Sequence, residues 1–261
     1  MGPIRIGLIV VAGLGAVAAA WYFWPAAQPP TIPPPVAQVK PAAAPESAPA
    51  EHYPVPESAE AEPAKPLPAL DASDKELQDA LAGPLGADAL ARFFVPERLV
   101  RNIVVTIDNL PRRTFAMRLS PLKPVGGLMA TTGKDESLAI APGNAARYAP
   151  WMLLLEKVDA RKLVAVYVRF SPLFQKAYVE LGYPKGHFNT RLVQVIDHLL
   201  TAPEPAAPVR LAVPHVLPEY ADPALQSESA GRKVLFRIGN ANAAKVKVKL
   251  REIRRELVKA R

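Results

Sequence analysis

The chain has 261 residues, half of them hydrophobic, with a formal net charge of +8 and no cysteine. That is enough apolar material for a core and for one or two domains. The missing thiols exclude disulfides, thiolate metal sites, a cysteine nucleophile and a lipid-modified N-terminal cysteine.

Residues 4–24, IRIGLIVVAGLGAVAAAWYFW, carry one charge, Arg5. As a helix this stretch would be roughly 31 Å long, close to the ~30 Å hydrocarbon core of a bilayer. Trp21, Tyr22, Phe23 and Trp24 close it with the amphipathic rings that favour the headgroup level. The expectation is an uncleaved transmembrane anchor running from Ile4 to Trp24 within segment 1–24. Ala16-Val17-Ala18 also fits a cleavage site, so removal of the segment stays open as the alternative. Arg5 lies at the N-terminal end of the span and the next basic residue is Lys40. The positive end stays in the cytoplasm, which places the rest of the chain beyond the inner membrane, in the periplasm.

Residues 25–70 are rich in proline, alanine and glutamate. Such composition has too little apolar bulk to offset the entropy of ordering, and proline keeps the chain extended. This segment is expected to be a disordered linker, in which His52 and Tyr53 are incidental. The globular domain is expected over 71–261.

Ser73-Asp74-Lys75-Glu76 matches a capping box opening a helix through Leu81. Pro96 is expected in the first turn of a helix bearing Leu99, Val100, Ile103, Val104 and Ile107, ended by Asp108 and Asn109 before Pro111. Between Thr114 and Pro142, paired glycines and short runs such as GLMATT and SLAIA predict one or two small hairpins. Helical periodicity returns from Asn144. Asp159 can cap the next segment, but LVAVYVRF at 163–170 fits helix or strand. Ser171 and Pro172 are expected to start a further helix that Gly182 closes. Tyr183-Pro184-Lys185-Gly186 reads as a turn, and Asn189 as the cap of a helix whose stripe is Leu192, Val193, Ile196, Leu199 and Leu200.

Two readings compete for the polar groups of 178–200. One is a helical hairpin, 172–181 packed on 190–201, with those groups as its fittings. The other uses His187 and His198 as proton carriers in a cleft, with Glu180 or Arg191 nearby. Asp197 and His198 are adjacent in sequence, and helical neighbours point to different sides, so they make a poor dyad. The tail 245–261 holds eight basic and two acidic residues around a stripe of Val246, Leu250, Ile253 and Leu257. It is expected to dock on the domain through that stripe. An anionic lipid or envelope surface is its other candidate partner, and nucleic acid is not expected beyond the membrane.

The segments VVTIDNLPRR (104–113), NAARY (144–148), RFSPLFQKAYVELGYPKGHFNTRLVQVIDHLL (169–200), YADPALQ (220–226) and SAGRKVLFRIGNANAAKVKVKLREIRREL (229–257) carry a resemblance over about 71–257. They resemble a bacterial family known as domain of unknown function 3014. The resemblance implies a membrane-anchored envelope protein with no assigned activity, cofactor or catalytic residue. It adds Asp197 and Pro184 to the recurring polar positions.

The fold class expected is therefore α+β: a predominantly α-helical globular domain with a small antiparallel β element, preceded by one transmembrane helix and a disordered linker. The function expected is an interaction or scaffold module; the alternative is a ligand- or polymer-binding domain or hydrolase with a cleft around Arg147, Tyr183, His187 and Arg191. The candidate polar cluster is Asp108, Asn109, Arg147, Tyr148, Tyr183, His187, Asn189, Arg191 and His198. No catalytic, metal or cofactor role is assigned to any residue. The expected partners are the bilayer, through 4–24, and an envelope protein.

Overall fold

A computed structural model describes residues 52–56, 66–115, 117–214 and 218–259. All of them fall within one compact unit, Ala50–Arg261. The anchor expected at 4–24 lies outside the described residues. Among the described residues no helix is long and apolar enough to cross a membrane.

Order begins earlier than the composition of 25–70 implies. Leu70 is buried and Leu67 packs on the same core, which places the first core contacts ahead of Asp71. Helix α1, Asp74–Leu85, starts where expected but without the capping box. The Ser73 hydroxyl turns back and donates to the Leu70 carbonyl at 2.7 Å. Asp74 serves a different helix. Its carboxylate accepts from the backbone N–H groups of Arg98 (2.6 Å) and Leu99 (2.8 Å). That remote cap satisfies donors which every helix start leaves orphaned. Helix α3, Leu99–Asn109, accordingly opens three residues after Pro96 rather than around it. Between them lies α2, Ala87–Phe93, a short helix not anticipated from the sequence.

A hairpin was expected between Thr114 and Pro142, and β1, Thr131–Thr132, pairs antiparallel with β2, Ala139–Ile140. A second two-stranded sheet, β3 (Leu211–Ala212) with β4 (Glu219–Tyr220), lies beyond the reach of alternation patterns because each strand has two residues. Leu211 N–H donates to the Leu138 carbonyl and Ile140 N–H to that of Val209, which stitches the two small sheets together.

Helix α4, Ala149–Lys157, leads into α5, Ala160–Glu180, whose N-cap is Asp159 as expected. The ambiguous run 163–170 is helix. Val164, Phe170, Leu173, Phe174, Ala177 and Tyr178 are all buried along α5, which packs against α1 and α3. The expected break at Ser171-Pro172 does not occur. Proline cannot donate to the carbonyl four residues back, that of Val168, and this normally disrupts a helix. The Ser171 hydroxyl supplies the missing donor to the Val168 carbonyl at 2.7 Å, and the helix continues.

After the 183–186 turn, α6 (Phe188–Leu200) is capped at His187, not at Asn189. The remaining helices are α7 (Pro223–Ser227), α8 (Ala230–Ile238) and α9 (Asn240–Leu257). Helix α9 packs on α5 and α6. The molecule is thus mostly helical, with two small antiparallel sheets. The tail docks as expected: Leu257 is buried beside Val193 and Ile196, with Leu250 and Ile253 packed at the edge. Its charge is less solvated than composition suggests. Lys247 is buried and donates to the Ala202 carbonyl, Lys249 to that of Val158, and Arg254 pairs with Asp197.

Candidate functional site

Val100, Val104 and Asp108 are spaced four residues apart on α3 and all three are buried. The helical repeat therefore carries a carboxylate along the apolar stripe into the interior, where a charge persists only if paired. The Asp108 side chain is 2% exposed. Its Oδ1 accepts from Arg191 Nε at 3.0 Å, and its Oδ2 accepts from Arg112 Nη2 at 2.5 Å and from the Tyr183 hydroxyl at 3.2 Å. Arg191 Nη2 also takes the Asp108 backbone carbonyl at 2.9 Å, and Arg112 Nη2 donates to the Tyr183 oxygen at 2.9 Å. A guanidinium on the last carbonyls of α3 also complements the negative end of that helix. The Arg112 guanidinium is held above its usual range by the adjacent carboxylate and its hydrogen bond. Tyr183 stacks on Tyr178 with ring centroids 4.6 Å apart, and burial raises the Tyr178 hydroxyl above its ordinary value. The assembly joins α3, α5, α6 and the 183–186 turn.

Arg147 belongs to another group. Its Nη2 donates to the carbonyls of Gly126 (2.8 Å) and Gly127 (2.7 Å), and its Nη1 to Asn144 Oδ1 at 3.1 Å. Buried Asn144 accepts from Ala130 N–H and donates to the Arg237 carbonyl. Together they clamp the glycine loop to α8. Tyr148 lies under the Arg147 guanidinium at 5.9 Å and packs on the cluster of Val195 and Leu235.

His187 and Asn189 form a third group with the supposed linker, which corrects the view of His52 and Tyr53 as incidental. The rings of His52 and His187 lie 4.3 Å apart. Asn189 Nδ2 donates to the carbonyls of Tyr53 and Pro54. Arg254 is held above its usual range chiefly by its hydrogen bond to Asp197, with Tyr53 contributing.

His198 forms a fourth. Its Nε2 is 2.8 Å from Ser229 Oγ, and Ser229 caps α8. Arg232, from the first turn of α8, donates to the His198 carbonyl and pairs with Glu228. Burial, with the nearby Arg232 charge, lowers the pKa of His198 below its ordinary value. Asp197 and His198 indeed diverge, the one to Arg254 and the other to Ser229. Asn109 stays local, donating to the Val105 carbonyl.

The structure thus brings Asp108, Tyr183 and Arg191 together, while Arg147, His187 and His198 engage other partners. Arg112, Tyr178, Asn144, Thr190 and Ser229 complete these groups without having been among the candidates. Tyr178 and Thr190 lie in the polar stretch 178–200 that the sequence marks, and Arg112 stands four residues after Asp108. A cavity of about 110 Å³ lined by Leu70, Asp71, Asp74, Arg98, Val100 and Arg101 contains none of the candidates.

A mostly helical domain tied by internal polar groups is the class that this geometry defines. The family model described as "Protein of unknown function (DUF3014)" matches residues 99–254, and the chain belongs to that family. No curated protein and no solved structure matches it.

Proposed function

We propose that the chain is a single-pass inner-membrane protein that presents this domain in the periplasm as a non-enzymatic interaction or scaffold module. Segment 4–24 would hold it in the bilayer and the proline-rich stretch would space it from the surface. The observation that carries the module over the cleft is the division of labour among the polar residues. Arg147 is engaged in one internal group, Tyr183 and Arg191 in another, and exposed His187 lies beside His52 in a third. A shared reactive surface would need their side chains to converge. What the domain offers a protein partner is its outer face, where Leu153 and Val248 are exposed. The exposed Arg251 and Arg255 of α9 remain available to an anionic surface.

Photo-crosslinking in intact cells from positions 153 and 248 tests the reading. Discrete crosslinked species from these positions are expected, together with no turnover of envelope polymers by the purified chain. Polymer turnover that Arg191→Ala abolishes, with no crosslinked species, would overturn it.

A further inference from the structure

His52, Tyr53 and Pro54 lie against the start of α6 through contacts that read a peptide backbone. Tyr53 N–H donates to Thr190 Oγ1 at 3.1 Å. Asn189 Nδ2 spans two successive carbonyls, those of Tyr53 at 3.1 Å and Pro54 at 2.9 Å. The Tyr53 side chain packs on the cluster of Val164, Val193, Ile196 and Leu257, between α5, α6 and α9. Both polar backbone groups of Tyr53 are therefore recognised by side chains, and its ring is the apolar anchor. Asn189 is 3% exposed, and its Oδ1 is buried with no hydrogen-bond partner among the described residues. The same amide that grips the segment thus keeps an acceptor in hand.

Prolines at 54 and 56 restrict the backbone before binding, which lowers the ordering cost of an extended ligand. Backbone hydrogen bonds combined with a side-chain pocket are the usual means by which domains bind extended peptides. We propose that this groove is a binding site for an extended tyrosine–proline peptide, and that residues 52–56 are its exchangeable occupant in cis. The site rests on the groove's geometry and requires neither the anchor nor the compartment proposed above. A peptide of the same chemistry competes with the segment held in cis, whose effective concentration is set by its covalent linkage to the domain.

The test is a titration of the full ¹⁵N-labelled chain, in detergent, with the peptide Ala-Glu-His-Tyr-Pro-Val-Pro-Glu. In the Tyr53→Ala chain the Asn189 side-chain amide and the Thr190 backbone amide are expected to shift and saturate. The unmodified chain should need at least about tenfold more peptide, because the tethered segment competes. A peptide with alanine in place of tyrosine should leave both signals unmoved. Absence of shifts in a folded Tyr53→Ala chain, or equal binding of the alanine peptide, would overturn the proposal. Should Tyr53→Ala fail to fold, fluorotyrosine at position 53 of the otherwise unmodified chain reports displacement directly. Excess peptide should move its signal to that of an exposed ring, and a signal that stays fixed overturns the proposal.

Discussion

Asp108 sits on an apolar stripe because the helical repeat puts it there, and Arg112 and Arg191 make that position tolerable. Removing one partner of a buried pair costs more than the pair contributes, because the remaining charge is stranded. Arg191→Ala, which takes from the buried Asp108 carboxylate its less exposed guanidinium, is therefore expected to lower stability by about 3–5 kcal/mol in urea unfolding. Arg112 is about half exposed, and its replacement by alanine should cost no more than about 1 kcal/mol. Similar losses from the two substitutions would contradict this ranking. His198 gives a pH prediction of definite sign. Its folded-state pKa lies below the ordinary value near 6.5, so the unfolded chain binds more protons between the two values. Its contribution leaves stability undiminished above pH ~6.5 and reduces it as pH falls from there toward the folded pKa. An NMR titration of His198 should give a midpoint below 6.5, and a midpoint above it would refute the burial argument. None of these pairings was legible as a pair. The sequence marks Asp108, Tyr183 and Arg191 as polar residues in apolar surroundings, but their meeting depends on how α3 and α6 cross.

Elements were legible in proportion to their length. Helix α3 and the stripe of α6 follow from periodicity, and the tail's four apolar positions foretell a docked helix. The run 163–170 was ambiguous because its β-branched residues suit either state, and packing against α1 and α3 decided it. The Ser171-Pro172 boundary misled for a specific reason, since a serine just before proline can repair the carbonyl that proline leaves unbonded. Ser171→Ala should strand the Val168 carbonyl and cost about 1 kcal/mol; no loss would mean that the carbonyl finds another donor. Gly231 permits a close approach that no periodicity reveals. A Cβ there would stand 2.6 Å from Leu199 Cδ2 and 3.1 Å from the Leu110 carbonyl oxygen. Gly231→Ala is expected to destabilise by about 1–3 kcal/mol through overpacking, measured by the shift in the unfolding midpoint.

At the scale of the whole molecule, the architecture joins a helical domain to an N-terminal region whose composition suggests a membrane anchor and spacer. The docking of 52–56 was invisible in that composition, because proline-rich sequence says how a chain is biased and not what it touches. Four groups of polar residues draw their partners from different elements, and the interaction role proposed above rests on that division. That role depends on where the domain is displayed. The absence of native cysteine makes a single introduced thiol an unambiguous reporter of compartment. Lys75 is well exposed, with 86% of its side chain accessible, so Lys75→Cys in the full chain can be challenged with a membrane-impermeant maleimide. The account predicts labelling in cells whose outer membrane is permeabilised and whose inner membrane is intact. Labelling only after the inner membrane is broken would contradict it.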